Sequence, residues 1–202
     1  KSETLETRFK KIDVMSDKLV VGTIGSLDVK YKGHDILIKA LSRVKKNSNV
    51  DIEVRFLGGG NRDKIIKLAK KYDLDDTIYF DGILPSGNPV FKWLDDIDLY
   101  IQPSRTEGLP RAIIEAMSRG CPVLGSNVGG IPELIDEDCI FRKNDYKGLA
   151  EIISKNVFDK KWLKNKARRN FEEAKKYEKE KIELGRQEFF NKVKREIMET
   201  KK

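Results

Sequence analysis

Two glutamates, Glu107 and Glu115, stand eight positions apart within the stretch Pro103 to Leu124. Between them, Gly108-Leu109-Pro110 has the composition of a tight turn feeding a helix start. Free backbone N–H groups at a helix start attract phosphate, and a carboxylate on either side of such a site accepts hydrogen bonds from hydroxyls. Sugars and ribose are the ligands that present hydroxyls beside phosphate, so the stretch points to a nucleotide-sugar site. Taken alone, two glutamates at this spacing are more often a loop carboxylate and a helix-surface carboxylate. Glu115 argues against that for itself, because it falls among Ile113, Ile114, Ala116 and Met117, and a carboxylate on an apolar helix face needs a partner.

The pattern continues past the second glutamate as Ala116-Met117, Gly120, Pro122-Val123 and then Gly129-Gly130 with Glu133. It resembles the donor-binding signature of family-4 retaining glycosyltransferases, which have the GT-B fold. The likeness runs through Ser126 to Ile135 and appears upstream as Lys32-Gly33 before a helix and Phe56-Leu57-Gly58-Gly59-Gly60 after a strand. It covers residues 19 to 155 in the right order. The resemblance implies that Glu107 contacts donor-sugar hydroxyls and, with Lys32, carries the catalytic role. It implies that Glu115 contacts the ribose, and that Gly108 and Leu109 offer backbone N–H groups to the diphosphate. The base is expected on backbone of the loop holding Gly82, Ile83 and Leu84, with Gly58 letting backbone approach the nucleotide. Ser26 stands where the family commonly has Arg, which leaves Lys32 as the principal cation, with Lys30 as a rival. Arg111 receives no role. The only histidine, His34, is expected as a cap or surface residue at a helix start. No cofactor and no metal are expected, Asp95-Asp96-Ile97-Asp98 reading as a turn; the substrate is a nucleotide-sugar, with UDP taken from family frequency.

These residues need elements to position them. Apolar runs and alternation predict strands at Leu19–Gly25, Asp51–Leu57, Ile78–Phe80, Asp98–Ile101, Pro122–Leu124 and Cys139–Phe141. Helical periodicity falls at His34–Val44, Arg62–Tyr72, Pro110–Arg119, Ile131–Ile135 and Tyr146–Ile153, with about a turn of helix at Phe91–Leu94. Strands and helices alternating at short spacing predict an α/β, doubly wound, Rossmann-like parallel sheet. Ligands on such sheets bind beyond the carboxyl ends of the strands, where Gly25, Gly58, Gly82, Ser104 and Gly125 all fall.

The 202 residues fit one domain, 39% apolar and 37% charged. The reading divides them into an arm or interdomain linker at 1–17, the nucleotide-sugar-binding domain at 18–156 and a basic helical tail at 157–202. The charge is uneven: residues 156–202 hold 16 Lys or Arg against 9 Asp or Glu, a net of +7 out of +8 for the chain. The plain reading is a solvated helical tail, and the sharper one is attraction to an anionic membrane surface or an acidic carrier. Nucleic acid is not expected, because Phe171, Tyr177, Phe189 and Phe190 sit at helical spacing. Cys121 and Cys139 neighbour apolar residues and read as buried free thiols. The start, Lys1-Ser2-Glu3, has no initiator Met and no secretory signal. A trimmed chain in a cytoplasmic setting is the expectation, with peripheral association at the inner membrane face as the alternative that the basic tail leaves open. By resemblance this is the donor half of a hexosyltransferase acting on a glycan or lipid-linked acceptor in cell-surface polysaccharide synthesis, its N-terminal acceptor-binding domain missing. A non-catalytic subunit of a split transferase and a GT-B nucleotide-sugar epimerase stay open.

Overall fold

The computed structural model describes residues 2–178 and residues 181, 183, 187 and 190. Apart from those four positions, the part of the basic helical tail beyond residue 178 lies outside the described residues, Phe189 included. The elements run α1 (Ser2–Asp13), β1 (Lys18–Ile24), α2 (His34–Asn47), β2 (Asp51–Leu57), α3 (Asp63–Lys71), β3 (Ile78–Gly82) and α4 (Asn88–Asp96). They continue with β4 (Leu99–Gln102), α5 (Arg111–Ser118), β5 (Val123–Ser126), α6 (Ile131–Leu134), β6 (Ile140–Phe141), α7 (Tyr146–Asn156) and α8 (Lys160–Ala174).

The six strands form one parallel sheet in the order β3-β2-β1-β4-β5-β6. The chain first winds outward from β1 to β3, then crosses back and winds the other way from β4 to β6. The reversal lies between β1 and β4, which pair at Val21↔Leu99 and Gly22↔Tyr100. A sheet covered on both faces needs strands that are apolar throughout, and β4 and β5 are buried at every position. α2 packs on α3 and α7, while α5 packs on α4, α6 and α8. The doubly wound order places these two groups on opposite faces, and ligands in such folds sit at the reversal point, beyond the carboxyl ends of the strands.

The amino-terminal segment is a helix rather than an arm. Leu5, Phe9 and Ile12 recur at the spacing of one helical face, and Ile12 is buried against Leu163 and Ala167 of α8. The start of the basic tail is likewise a packed element, since α8 buries Leu163, Ala167, Asn170, Phe171 and Ala174. Cys121 and Cys139 are free and buried.

Arg8 explains how α1 is fixed. Its side chain is buried, and it donates to the carbonyl oxygens of Ile97 (2.5 Å), Leu94 (2.9 Å) and Arg119 (3.2 Å). These carbonyls end α4 and α5, where the last turn of a helix leaves acceptors unpaired. Arg8→Ala is expected to lower stability by about 3 kcal/mol, because several buried acceptors lose a charged donor at once. A urea melt at unchanged midpoint would show that α1 is only draped on the domain.

Candidate functional site

At the reversal point the carboxyl ends of β1 and β4 and the start of α5 enclose an open cavity of about 380 Å³. Ile24, Gly25 and Lys32 line it from the β1 side, Gln102 and Glu107 from the β4 side, and Leu109 to Ala112 with Glu115 from α5. Ser86 reaches it from the loop before α4.

Glu107 is held by a converging set of donors. Its Oε1 accepts from Lys32 Nζ at 2.7 Å, Ser104 Oγ at 2.7 Å and Gln102 Nε2 at 3.0 Å. Gln102 Nε2 also donates to Ser104 Oγ at 2.9 Å, and Tyr100 donates its phenolic proton to Gln102 Oε1 at 2.5 Å. Burial pushes the Tyr100 phenol well above its ordinary value, so it stays a donor. This chain of bonds rises along β4 into the loop and fixes one carboxylate oxygen completely. Among the described residues Oε2 takes part in none of these bonds, which leaves its lone pairs free to accept.

Lys32 closes a short 3-10 turn, Lys30–Lys32, and its stem lies across Gly25. The following Gly33 has a left-handed φ of 71°, and a Cβ there would stand 1.8 Å from the Pro103 carbonyl oxygen. Only glycine lets this turn sit against the β4 loop, which is how residues 75 positions apart come to form the Lys32–Glu107 pair. Beneath the other side, Gly130 N donates to Gly108 O at 2.8 Å. Gly129, φ 53°, has no room for a Cβ, which would fall 2.0 Å from the Glu107 carbonyl oxygen. The glycine pair after Val128 is thus a platform for the backbone of Glu107 and Gly108.

α5 starts at Arg111 with Pro110 as its cap residue, and no side chain caps it. The amides of Ile113 and Ile114 bond back to Pro110 O, which leaves the Arg111 and Ala112 amides as the free donors at this end. A helix end of this kind favours an anion. One turn on, Glu115 is half-buried, and that burial holds its carboxyl above the ordinary range against the opposing pull of Arg111. Burial disfavours the charged form, so at neutral pH the Glu115 carboxylate costs stability, a cost that vanishes below the unfolded-state pKa. A group kept at a cost in stability is a mark of a functional site.

The structure therefore gathers Lys32, Glu107, Leu109 and Glu115 in one cavity. Four other residues expected at the site do not line it. Ser26 is exposed, its Oγ accepting from Asp28 N at 3.4 Å. Gly58 N donates to Gly82 O at 2.6 Å, joining the β2 and β3 ends. Ile83 is exposed on the neighbouring loop, and Gly108 is exposed behind the wall formed by Leu109. Lys30 lines a different groove, between α2 and α3. His34 is not a surface residue: it is buried edge-on against Phe56, and its Nε2 donates to Ser26 O at 3.1 Å. Burial lowers its pKa and keeps the ring neutral. Gln102, Tyr100, Ser86 and Arg111 are cavity and network residues to which sequence reasoning gave no role, and Ser104 was placed only at the ligand-binding edge without its bond to Glu107. The first two sit in a strand whose signal is purely structural, and Arg111 would have followed from its place in the first turn of α5. Among the described residues no cluster of three His, Cys, Asp or Glu is placed to hold a metal ion, and no helix is long and apolar enough to cross a membrane.

Comparison with known proteins agrees with this architecture. Over 185 residues the chain is 34% identical to Protein CapJ of Staphylococcus aureus, covering 92% of this chain and 47% of CapJ. It is 34% identical over 133 residues to the putative colanic acid biosynthesis glycosyltransferase WcaL of Escherichia coli K12, covering 61% of this chain and 32% of WcaL. The chain thus spans half or less of the length of these relatives. Among solved structures, sucrose-phosphate synthase from Thermosynechococcus elongatus superposes with a TM-score of 0.79 at 21% identity, over 94% of this chain and 50% of that one. Anabaena HepE, solved in complex with UDP and glucose, gives 0.68 at 22% identity, over 86% and 48%. Both likenesses are of fold, the Rossmann-like half of a GT-B architecture. Residues 5–178 match the family described as Glycosyl transferases group 1, and the chain belongs to that family.

Proposed function

We propose that this chain is the donor half of a retaining hexosyltransferase that takes a nucleoside-diphosphate sugar and acts in polysaccharide synthesis with an acceptor-binding domain outside the present sequence. The observation that carries the reading is the Lys32–Glu107 pair beside the free amides of α5, with Glu115 one turn further along the same helix. On this reading the diphosphate rests between Lys32 and the amides of Arg111 and Ala112. Glu107 Oε2 accepts from hydroxyls of the sugar, and Glu115 accepts from the ribose. During transfer the bond from the anomeric carbon to the diphosphate oxygen breaks with its electron pair going to that oxygen, a bond from the anomeric carbon to an acceptor hydroxyl oxygen forms, and the hydroxyl proton passes to the leaving diphosphate. The protein's part is to stabilise the negative charge that gathers on the leaving diphosphate. Support for the polysaccharide setting comes from relatives named for colanic acid, O-antigen and amylovoran biosynthesis. UDP is the nucleotide proposed, in keeping with the HepE complexes. Attraction to an anionic membrane has less support, because Lys164, Lys166 and Arg169 of α8 pair internally with Asp13, Asp136 and Asp138. An epimerase reading is not favoured, since His34 packs edge-on against Phe56 and does not line the cavity.

The test is calorimetry of the purified chain with UDP, GDP, ADP and their sugars. One nucleoside diphosphate should bind, and Glu115→Gln should weaken it by about 1.5–3 kcal/mol, the range for a hydrogen bond to a charged group. The same variant should melt no lower than wild type, because burial disfavours Glu115 as a carboxylate. Unchanged nucleotide affinity in Glu115→Gln would remove Glu115 from the ribose contact. Without the acceptor half the chain should transfer no sugar; turnover by these 202 residues would overturn the division of labour.

A further inference from the structure

We propose that Arg105 is a positioning residue of the donor site, holding the turn that carries Lys32 so that the lysine ammonium stands over the diphosphate position. The inference rests on the donor-site reading above and adds a residue that does not itself line the cavity.

Arg105 lies in the loop between β4 and α5, two positions before Glu107, and its contacts run outward to three other segments. Its backbone N–H donates to Tyr31 O at 2.6 Å. Its Nη1 donates to Lys30 O at 2.7 Å and Asp35 Oδ1 at 2.8 Å, and its Nη2 to Asp35 Oδ2 at 2.8 Å. Its Nε donates to Asn144 Oδ1 at 2.8 Å, and Asn144 is held in the left-handed region at φ 66°. Two consecutive carbonyls of the Lys30–Lys32 turn thus end on one arginine. What else holds the turn is the Lys32–Glu107 pair at 2.7 Å, the close seat of Gly33 against the Pro103 carbonyl, and two long internal bonds, Lys32 N to Val29 O and Gly33 N to Lys30 O, both 3.2 Å; none of its three residues is buried.

The consequence falls on Lys32. A lysine is a point charge on a flexible stem, so where its ammonium stands depends on where its backbone is held. Burial alone would raise the Asp35 pKa, but the hydrogen bonds and charge of Arg105, together with the charge of Lys39 at 3.7 Å and a backbone hydrogen bond, outweigh it and hold the carboxylate below its ordinary range. The Arg105–Asp35 fork therefore stays charged throughout neutral pH. The planar guanidinium meets the carboxylate with two bonds while a third N–H reaches the Lys30 carbonyl, a geometry an ammonium cannot reproduce.

A positioning role and a merely structural one separate in a double-mutant cycle read with UDP and UMP on the full chain. Arg105→Ala should weaken UDP by about tenfold and UMP by clearly less, and Arg105→Lys should not restore it. In a Lys32→Ala background, Arg105→Ala should change UDP affinity by less than about twofold, because residues acting through one another are non-additive. Equal losses for UDP and UMP, or an undiminished tenfold loss in the Lys32→Ala background, would overturn the proposal. Should Arg105→Ala fail to fold, Asp35→Asn takes its place in the cycle with the same criteria. A ligand-free reading separates the proposal from the donor-site assignment: amide exchange at Lys32 and Gly33 should accelerate in Arg105→Ala and Asp35→Asn while core strands stay protected. If wild type binds none of UDP, GDP or ADP, the donor-site assignment fails, and unchanged exchange at Lys32 and Gly33 would by itself sink the latch.

Discussion

On the proposed reading, with an acceptor-binding half supplied, Glu107→Gln is expected to slow sugar transfer by about 10²–10³-fold, the scale for losing one preorganised polar group aimed at the reacting centre. The substitution keeps the size of the side chain, and its carbonyl can still accept from Ser104 and Gln102, which hold Oε1 at 2.7 and 3.0 Å. What it loses is the second acceptor oxygen and the charge opposite Lys32. An amide N–H₂ in place of Oε2 donates where a carboxylate accepts, so it cannot take a proton from a sugar hydroxyl. Affinity for UDP itself should hold or rise, because Lys32 is freed from a 2.7 Å ion pair and its charge falls wholly on the phosphates. Affinity for the UDP-sugar should gain less than affinity for UDP. Comparing calorimetry on the two ligands with single-turnover rates checks all three statements. A rate within a few-fold of wild type would take Glu107 out of the reacting site. Glu107→Ala is the harsher variant: it leaves Lys32, Gln102 and Ser104 without their common acceptor, and it should lower the melting temperature as well.

The order of elements was legible because each strand is a short apolar run closed by glycine, proline or a polar turn, and each helix shows one apolar face. β2 falls at Asp51–Leu57, as its alternation predicts, and α2 starts at His34 where its periodicity starts. The convergence of the strand ends was legible too, because a doubly wound sheet has one edge where ligands bind. Two kinds of feature were not. The first is packing between distant segments. The residues around Arg8 look like a polar arm, since α1 carries only a thin apolar stripe and its anchor is a charged side chain spent on helix-end carbonyls. His34 looks like a helix cap, and its contact with Phe56 is set by how β2 lies under α2. The second is the support behind a site residue. Glu107 is conspicuous in sequence, but Gln102 and Tyr100 sit in a strand whose four residues read as one buried run, and nothing in their spacing says that they hand a hydrogen bond upward to Glu107. Backbone contacts leave no side-chain signature at all, which is why Gly58, Ile83 and Gly108 were named by resemblance; of the residues adjoining them, Leu109 lines the cavity.

Lys32→Ala is expected to cost about tenfold to a hundredfold in affinity for a nucleoside diphosphate and little for the nucleoside, in keeping with about 1.5–3 kcal/mol for a hydrogen bond to a charged group. The charges lining the cavity explain the size. Lys32 and Arg111 are its cations, Glu107 and Glu115 its anions, so the site has no excess of positive charge to offer a diphosphate. Arg111 is exposed on the first helical turn, where solvent screens it, whereas the Lys32 side chain is only 19% exposed and already aimed by Glu107. Removing Lys32 therefore removes the better-placed cation and leaves Glu107 repelling the phosphates. The free amides of Arg111 and Ala112 survive, so some phosphate affinity should remain. Lys30→Ala is the control: its side chain lies in the groove between α2 and α3, its carbonyl contact to Arg105 is backbone, and its affinity for UDP should stay near wild type. Ser26→Arg is the converse experiment. Position 26 is exposed beside Gly25, which does line the cavity, so a long cationic side chain there has room to reach the phosphates and should tighten binding. A greater loss in Lys30→Ala than in Lys32→Ala would mean that the turn presents the other lysine to the ligand. It would then undo the assignment of the Lys32–Glu107 pair as the centre of the site.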